Sequence, residues 1–337
     1  MITAEELQEK LSPVSIGANT CNFSLEKCEE MAPKINKINQ LKKEKNTIIL
    51  AHSYVSPEIL TGVADFVGDS FELSKKAAIA DCDAIIFAAV KFMAETAKIL
   101  SPDKKVYIPS EVNGCSLADS ITAEEVKQLK EAYPDYAFIC YINTTAEVKA
   151  LCDVCVTSSN VYKIVANYPS DKIFFLPDQL MGKNIENYLN EHKIKKTFKF
   201  SDGKCYVHDE YDPDMIEYLS LKHPDAVIAA HPECKPSITS LSDYVGSTSQ
   251  LINYVAETDH KEYVLLTECG LSSRLQVEYP NKKFIGSCTM CKYMKSNRLD
   301  QILEILETEN SNLEIKLSEK IMKKAKHSLD EMFKYST

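Results

Sequence analysis

Asp65-Phe66-Val67-Gly68-Asp69-Ser70 reads as a short apolar strand led by an aspartate and closed by a small hydroxyl residue. The chain writes the pattern twice more, as Asp153-Val154-Cys155-Val156-Thr157-Ser158 and Asp243-Tyr244-Val245-Gly246-Ser247-Thr248. Twelve or thirteen residues before each aspartate, another apolar strand ends in a polar ring residue: Thr47–His52, Ala137–Tyr141 and Ala226–His231. Each hydroxyl leads into an amphipathic helix, over Phe71–Ala80, Asn160–Asn167 and Gln250–Glu257, and a third strand follows, over Ala84–Ala89, Lys172–Leu176 and Tyr263–Thr267. A fourth strand precedes a cysteine, as Val106–Pro109 does before Asn113-Gly114-Cys115. From leading aspartate to cysteine the separations are 50 (Asp65 to Cys115), 52 (Asp153 to Cys205) and 48 (Asp243 to Cys291).

Short apolar strands alternating with helices build parallel sheets. Three repeats of this length are too few and too large for a solenoid. The expected fold is α/β, with three pseudo-threefold-related α/β domains of short parallel sheet at 46–120, 121–207 and 208–300, and the active site at their central junction. N-terminal helices are expected in 1–45 (over 2–11 and 24–45) and C-terminal helices in 301–337. The charge run Lys42-Lys43-Glu44-Lys45 reads as a solvated helix face, and the basic helix carrying Lys316, Lys320, Lys323, Lys324 and Lys326 as packing or solvent-facing.

The net charge of −10 argues against binding nucleic acid, which needs a basic face. It leaves room for anionic substrates, because one pocket can differ from the whole. No run approaches the ~20 apolar residues of a membrane span, and Met1-Ile2-Thr3-Ala4-Glu5-Glu6 lacks the features of a signal peptide. A cytoplasmic protein without membrane contact is expected. Twelve cysteines in a reducing compartment are core residues or metal ligands, not structural disulfides. No C-x-x-C pair has zinc-finger spacing and no tight ferredoxin-like run occurs, so a cluster must draw its ligands from distant parts of the chain.

The repeat singles out Cys115, Cys205 and the pair Cys288/Cys291, whose members spacing does not separate. Three thiolates are too few for a closed zinc site, and they suit a 4Fe-4S cluster with one open iron acting as a Lewis acid. Cys82, Cys140, Cys152 and Cys155 read as core, while Cys234 stays an outside candidate because it follows His231-Pro232-Glu233. Ser70, Ser158 and Thr248 are helix caps on the plain reading. At three equivalent tips they also suit carboxylate or phosphate binding. His52 and Tyr54, Tyr141 and Asn143, and His231 and Glu233 fall at matching tips and resemble a site for proton transfers on a small polar acid, with His208 a further candidate.

These residues lie within AHSYVSPEI (51–59), ADFVGDSFELSKKAA (64–78), KFMAETAKIL (91–100), NGCSLADS (113–120), YINTTAEVKA (141–150), CVTSSN (155–160), FLPDQLMGKN (175–184), GKCYVHDE (203–210), AHPEC (230–234), GSTSQLI (246–252) and CKYMKSN (291–297). In these stretches, over about residues 35–300, the chain resembles the quinolinate synthase family (NadA type). The resemblance implies three α/β domains around a junctional site. It implies one 4Fe-4S cluster held by Cys115, Cys205 and Cys291. It implies condensation of iminoaspartate (iminosuccinate) with dihydroxyacetone phosphate to quinolinate, with loss of phosphate and two waters, in NAD biosynthesis. By motif, the dicarboxylate would be held by His52, Ser70, Tyr141, Asn143, Ser158, His231, Glu233 and Thr248. Glu233, Tyr54 and His231 would move protons. Because iminoaspartate is unstable in water, an enzyme that makes it from aspartate is an implied functional link. Lys91 stands where the family has histidine and Lys292 where proline is more usual. Cys288 and Cys291 could pair under oxidation. Other readings are an aconitase-like hydro-lyase, a cluster-based sensor and a zinc protein. The sensor lacks a visible interaction module.

Overall fold

The computed structural model describes residues 1–15, 22–286 and 289–336. Cys288, and with it any pairing to Cys291, lies outside the described residues. The first unit holds β1 (Thr47–His52), β2 (Phe66–Gly68), β3 (Ala84–Ala88) and β4 (Lys105–Tyr107). The second holds β5 (Ala137–Tyr141), β6 (Val154–Val156), β7 (Lys172–Leu176) and β8 (Thr197–Phe200). The third holds β9 (Val227–Ala230), β10 (Tyr244–Val245), β11 (Glu262–Leu266) and β12 (Lys283–Ile285). Each unit is a four-stranded parallel sheet in the same order, β2-β1-β3-β4, β6-β5-β7-β8 and β10-β9-β11-β12. The central pairs run in matching register, from Thr47↔Ala84, Ala137↔Ile173 and Val227↔Tyr263. The fold is therefore the expected α/β arrangement of three like units, with the repeat's element bounds within three residues of those read from sequence.

The leading aspartates explain why the short second strands hold their place. Asp65 accepts the Ile49 N–H at 2.8 Å and its own N–H donates to the Ile49 carbonyl at 2.9 Å. Asp153 makes the same reciprocal pair with Phe138, and Asp243 with Ile228. A side chain thus serves the backbone of a buried strand where a neighbour of two or three residues is too short to do so.

Alternation along the strands decides which face packs where. In the third sheet Val227, Ala229, Tyr263 and Leu265 join the large core shared by the first two units. Ile228, Ala230, Val264 and Leu266 face the other way and form a second core with Tyr211, Ile216, Cys234 and Ile238. Cys234 is fully buried there, its thiol donating to the Leu266 carbonyl at 3.3 Å, so it is a core residue and not a ligand.

Two terminal segments complete the shell. The helix Leu25–Glu44 is capped by Ser24 and packs Cys28, Ala32, Ile35 and Ile38 inward. Lys42 corrects the reading of its charge run. It is buried, and its ammonium donates to the Val63 carbonyl at 2.7 Å and pairs with Asp65 at 2.8 Å. At the other end Glu314 bridges antiparallel to Tyr107 and covers the β4 edge. The helix Glu319–Ser336 then buries Ala325, Ser328, Leu329 and Met332 against the second unit and turns its lysines outward. Among the described residues no helix is long and apolar enough to cross a membrane.

Candidate active site

The tips of the three sheets converge on one cavity. The twelve site residues that the family resemblance implies all line it: Cys115, Cys205 and Cys291 with His52, Tyr54, Ser70, Tyr141, Asn143, Ser158, His231, Glu233 and Thr248. Among the described lining residues there is no lysine or arginine. An anion here would meet neutral donors and helix N-termini instead of ammonium or guanidinium groups.

The three cysteines are equivalent in backbone as well as in spacing. The N–H that opens the helix after the third strand of each unit donates to the carbonyl two residues before the cysteine. These bonds are Lys91 to Asn113 (2.7 Å), Gln179 to Gly203 (2.7 Å) and Cys269 to Thr289 (3.1 Å). Cys291, not its partner in the C-x-x-C pair, therefore occupies the position of Cys115 and Cys205. Each cysteine then starts a helical turn, closed by the N–H of Asp119, Asp209 or Lys295 on the cysteine carbonyl at 2.9–3.0 Å. The amides of Ala118, His208 and Met294 point at the three sulfurs, a geometry that favours thiolate. Burial nonetheless raises all three thiols, Cys115 to about 12. Repulsion between Cys115 and Cys291, and between Cys205 and its neighbours Glu233 and Cys115, adds to this. Such a set is costly to ionise without a cation to share.

The hydroxyls at the helix starts are not caps. Asp69 caps the helix Ser70–Ile79, and Ser247 caps Thr248–Glu257. Ser70 and Thr248 are one residue further in, and Ser158 precedes the helix Val161–Asn167 in the turn. Their side chains are left for the cavity and its polar groups.

His52 and His231 sit in matching turns. In each, the Nδ1 accepts the backbone N–H two residues on, from Tyr54 at 3.2 Å and Glu233 at 3.3 Å. Burial holds both rings neutral, lowering each to about 3, with Arg274 adding to the effect at His52. With Nδ1 accepting, the neutral ring carries its proton on Nε2 and offers it as a donor.

A chain of hydrogen bonds runs through the cavity wall and joins all three units. Tyr54 Oη lies 2.8 Å from Thr248 Oγ1 and 2.7 Å from Thr267 Oγ1. Thr267 Oγ1 lies 3.1 Å from His208 Nε2, and His208 Nδ1 lies 3.1 Å from Glu233 Oε2. Tyr141 donates to the other Glu233 oxygen at 2.6 Å, and Ser158 lies within reach of Tyr141. With Nδ1–H donating to the carboxylate, every link has one consistent direction, from Thr248 towards Glu233. Burial alone would raise the Glu233 carboxyl. His208, then His231 and Tyr141, overcome it and hold it at about 2. Burial pushes both tyrosines well above their ordinary value.

Sequence reasoning keeps His208 as a minor candidate and misses Thr267, because a threonine at a strand end carries no signal of its own. Its one cue is position: Thr267 directly follows β11, the third strand of its unit. Glu268, buried and on the cavity, escapes likewise. The two residues read as departures from the family pattern do not line the cavity. Lys91 is exposed beside Glu95, and the Lys292 N–H donates to Tyr206 Oη at 2.7 Å, a bond proline could not make. Tyr206 Oη also donates to the Met290 carbonyl at 3.1 Å, so the second cysteine loop grips both neighbours of Cys291.

Fold and cavity together define an α/β enzyme whose site lies at a three-way junction of parallel-strand tips. A family model described as "Quinolinate synthetase A protein" matches residues 36–334, and the chain belongs to that family. It is 42% identical over 315 residues to a quinolinate synthase of Aquifex aeolicus, covering 91% of this chain and 96% of that one. It is 43% identical to a quinolinate synthase of Caldicellulosiruptor bescii (88% and 96% covered) and 44% identical to one of a Sulfurihydrogenibium species (88% and 97%).

Proposed function

We propose that this enzyme condenses iminoaspartate with dihydroxyacetone phosphate to quinolinate, releasing phosphate and two waters, in NAD biosynthesis. The observation that carries the reading is the opening of three register-equivalent cysteines onto the same cavity as the Thr248-to-Glu233 chain. Cys115, Cys205 and Cys291 would hold a 4Fe-4S cluster. The donor set fits: three soft ligands, each met by a backbone amide, with no cationic side chain among the described lining residues to balance thiolate charge. Such a cluster, with one iron free of protein ligands, supplies a Lewis acid that labilises a hydroxyl.

The chain's own residues account for binding and proton movement. His52 and His231 donate from Nε2 to carboxylate oxygens. Asn143, Ser158 and Ser70, with the N–H at the start of the Thr248 helix, complete the hydrogen bonds of a dicarboxylate. Tyr54 can take a proton from substrate at its oxygen while passing its own to Thr267, whose proton goes to His208 Nε2. Glu233 then holds the resulting imidazolium, the arrangement of carboxylate, imidazole and hydroxyl that activates an oxygen in hydrolases. Returning the proton by the same route serves the later eliminations. The implied supplier of iminoaspartate is an aspartate-oxidising enzyme.

The test is anaerobic. Protein purified without oxygen is given dihydroxyacetone phosphate and freshly generated iminoaspartate, and quinolinate is measured. Formation that needs both substrates supports the synthase. Turnover of a single hydroxy acid would replace it with a hydro-lyase. One observation favours a second reading: ligand atoms of Cys205, His208 and Glu233 lie within 4.8 Å of one another, as around a single ion. A colourless protein holding one zinc and making no quinolinate would select it.

A further inference from the structure

The third cysteine loop is tied down differently from the first. The Cys115 N–H is held by Asp119 of its own turn at 3.3 Å. The Cys291 N–H donates at 3.1 Å to Glu268, which comes from the tip of another strand. The same buried carboxylate accepts the Gly270 N–H at 2.6 Å and pairs with Lys295 at 3.2 Å. Lys295 lies four residues past Cys291, and its ammonium also donates at 2.6 Å to the backbone carbonyl of Tyr54, in the first unit. Gly270 confirms how close the groups are: a Cβ there would meet the Tyr54 carbonyl at 2.5 Å, Glu268 at 2.6 Å and Lys295 at 2.8 Å. Backbone of Cys291 and backbone of Tyr54 are thus joined through one ion pair, its carboxylate buried and its lysine half-buried, and the knot has no room for a side chain at 270.

We propose that Glu268 and Lys295 are positioning residues that lock the Cys291 loop to the Tyr54 loop, so that the cysteine set and the proton-carrying tyrosine are assembled as one unit. The roles given to Cys291 and Tyr54 rest on the function proposed above; the physical coupling of the two loops does not. An ammonium shared between a carboxylate and a carbonyl is a charge-assisted contact, stronger than a neutral one. Removing it leaves the carboxylate buried and unpaired.

Amide hydrogen exchange on the full-length, anaerobically purified chain tests this, in wild type, Lys295→Met and Lys295→Arg, with and without iron. Lys295→Met is expected to speed exchange on the order of tenfold in two segments, 50–57 and 289–296, as expected for losing a charged hydrogen bond. The segment 113–120 should not change. Lys295→Arg, which keeps the charge and the donors, should restore protection in both segments. Iron retained per chain under chelator should follow the same order. Unchanged exchange at 50–57, equal speeding of all three segments, or failure of Arg to restore protection would overturn the proposal. If Lys295→Met does not fold, Glu268→Gln is read by the same criteria. A wild type without iron or quinolinate would sink the functional reading, while the exchange pattern in the iron-free chain would still decide this one.

Discussion

The two ends of the three sheets carry the same repeat and use it in opposite ways. At the strand starts, Asp65, Asp153 and Asp243 are one residue type doing one job, each locked reciprocally to the strand beside it. At the strand tips the equivalent positions have diverged. His52, Tyr141 and His231 share one site, as do Tyr54, Asn143 and Glu233, and Val90, Asp178 and Glu268. The backbone demands the same side chain wherever it needs the same bond. A single asymmetric substrate at the junction, as proposed above, would meet three different walls, so at these positions the threefold likeness is kept in the main chain and not in the side chains. The cysteines stay alike at all three tips, as do the hydroxyls of Ser70, Ser158 and Thr248; as ligands of the proposed cluster the cysteines face one shared partner.

The largest way to break this contrast is at a tip. Glu233→Gln should leave the fold and the cysteine set intact and reduce turnover by ~10²–10⁴, the range for a lost acid–base group. Near-normal turnover would remove Glu233 from the proton path. At the strand starts the signs reverse. Asp153→Ala should cost ~1–3 kcal/mol in denaturant unfolding by orphaning the buried Phe138 N–H, while turnover per folded molecule is kept. Asp153→Asn, which retains an acceptor, should recover most of that stability. A loss of turnover without a loss of stability would contradict the division of labour.

Acid separates the ends as well. His52 and His231 are held near 3 in the fold against an ordinary value of 6.5, and Glu233 near 2 against 4.5. All three bind protons more readily when unfolded, so stability is full above about pH 6.5 and falls as the pH drops towards 3. The histidines act over the whole window and Glu233 joins below about 4.5. Replacing His52 with Gln should flatten the slope between pH 6.5 and 3 in thermal unfolding. An unchanged slope would mean that this ring is not buried neutral. The smallest effect is expected from Lys292→Pro, which deletes the N–H bonded to Tyr206 and an exposed ammonium over the Tyr293 ring. It should cost ~0.5–1.5 kcal/mol or less, read as a slight loss of iron retention with turnover unchanged.

Much of this molecule is legible in the sequence because the repeat multiplies weak signals. One strand with an aspartate and a serine says little, but three in register predict the sheets, their order of elements and a shared junction. The cysteine spacing narrows the ligand set to four, and it stops there because spacings of 48 to 52 residues do not resolve a three-residue ambiguity. The hydrogen bond from Cys269 to Thr289 resolves the register, and nothing in the sequence encodes it visibly. Lys42 misleads because a charge run hides which member turns inward, and its partner Asp65 lies beside a different element. Thr267, Glu268 and Lys295 escape for a related reason: Thr267 and Lys295 reach across to Tyr54 in the first unit, and Glu268 reaches the Cys291 N–H from another strand tip of its own unit, contacts that periodicity does not reveal.

The central claim is that Cys115, Cys205 and Cys291 form one metal-binding set. Iron and acid-labile sulfide should be counted in anaerobically purified wild type and in Cys115→Ser, Cys205→Ser, Cys291→Ser and Cys288→Ser. About four irons and four sulfides per chain are expected in wild type and in Cys288→Ser, with loss of the cluster in each of the other three. Full iron content in Cys291→Ser together with loss in Cys288→Ser would contradict the claim.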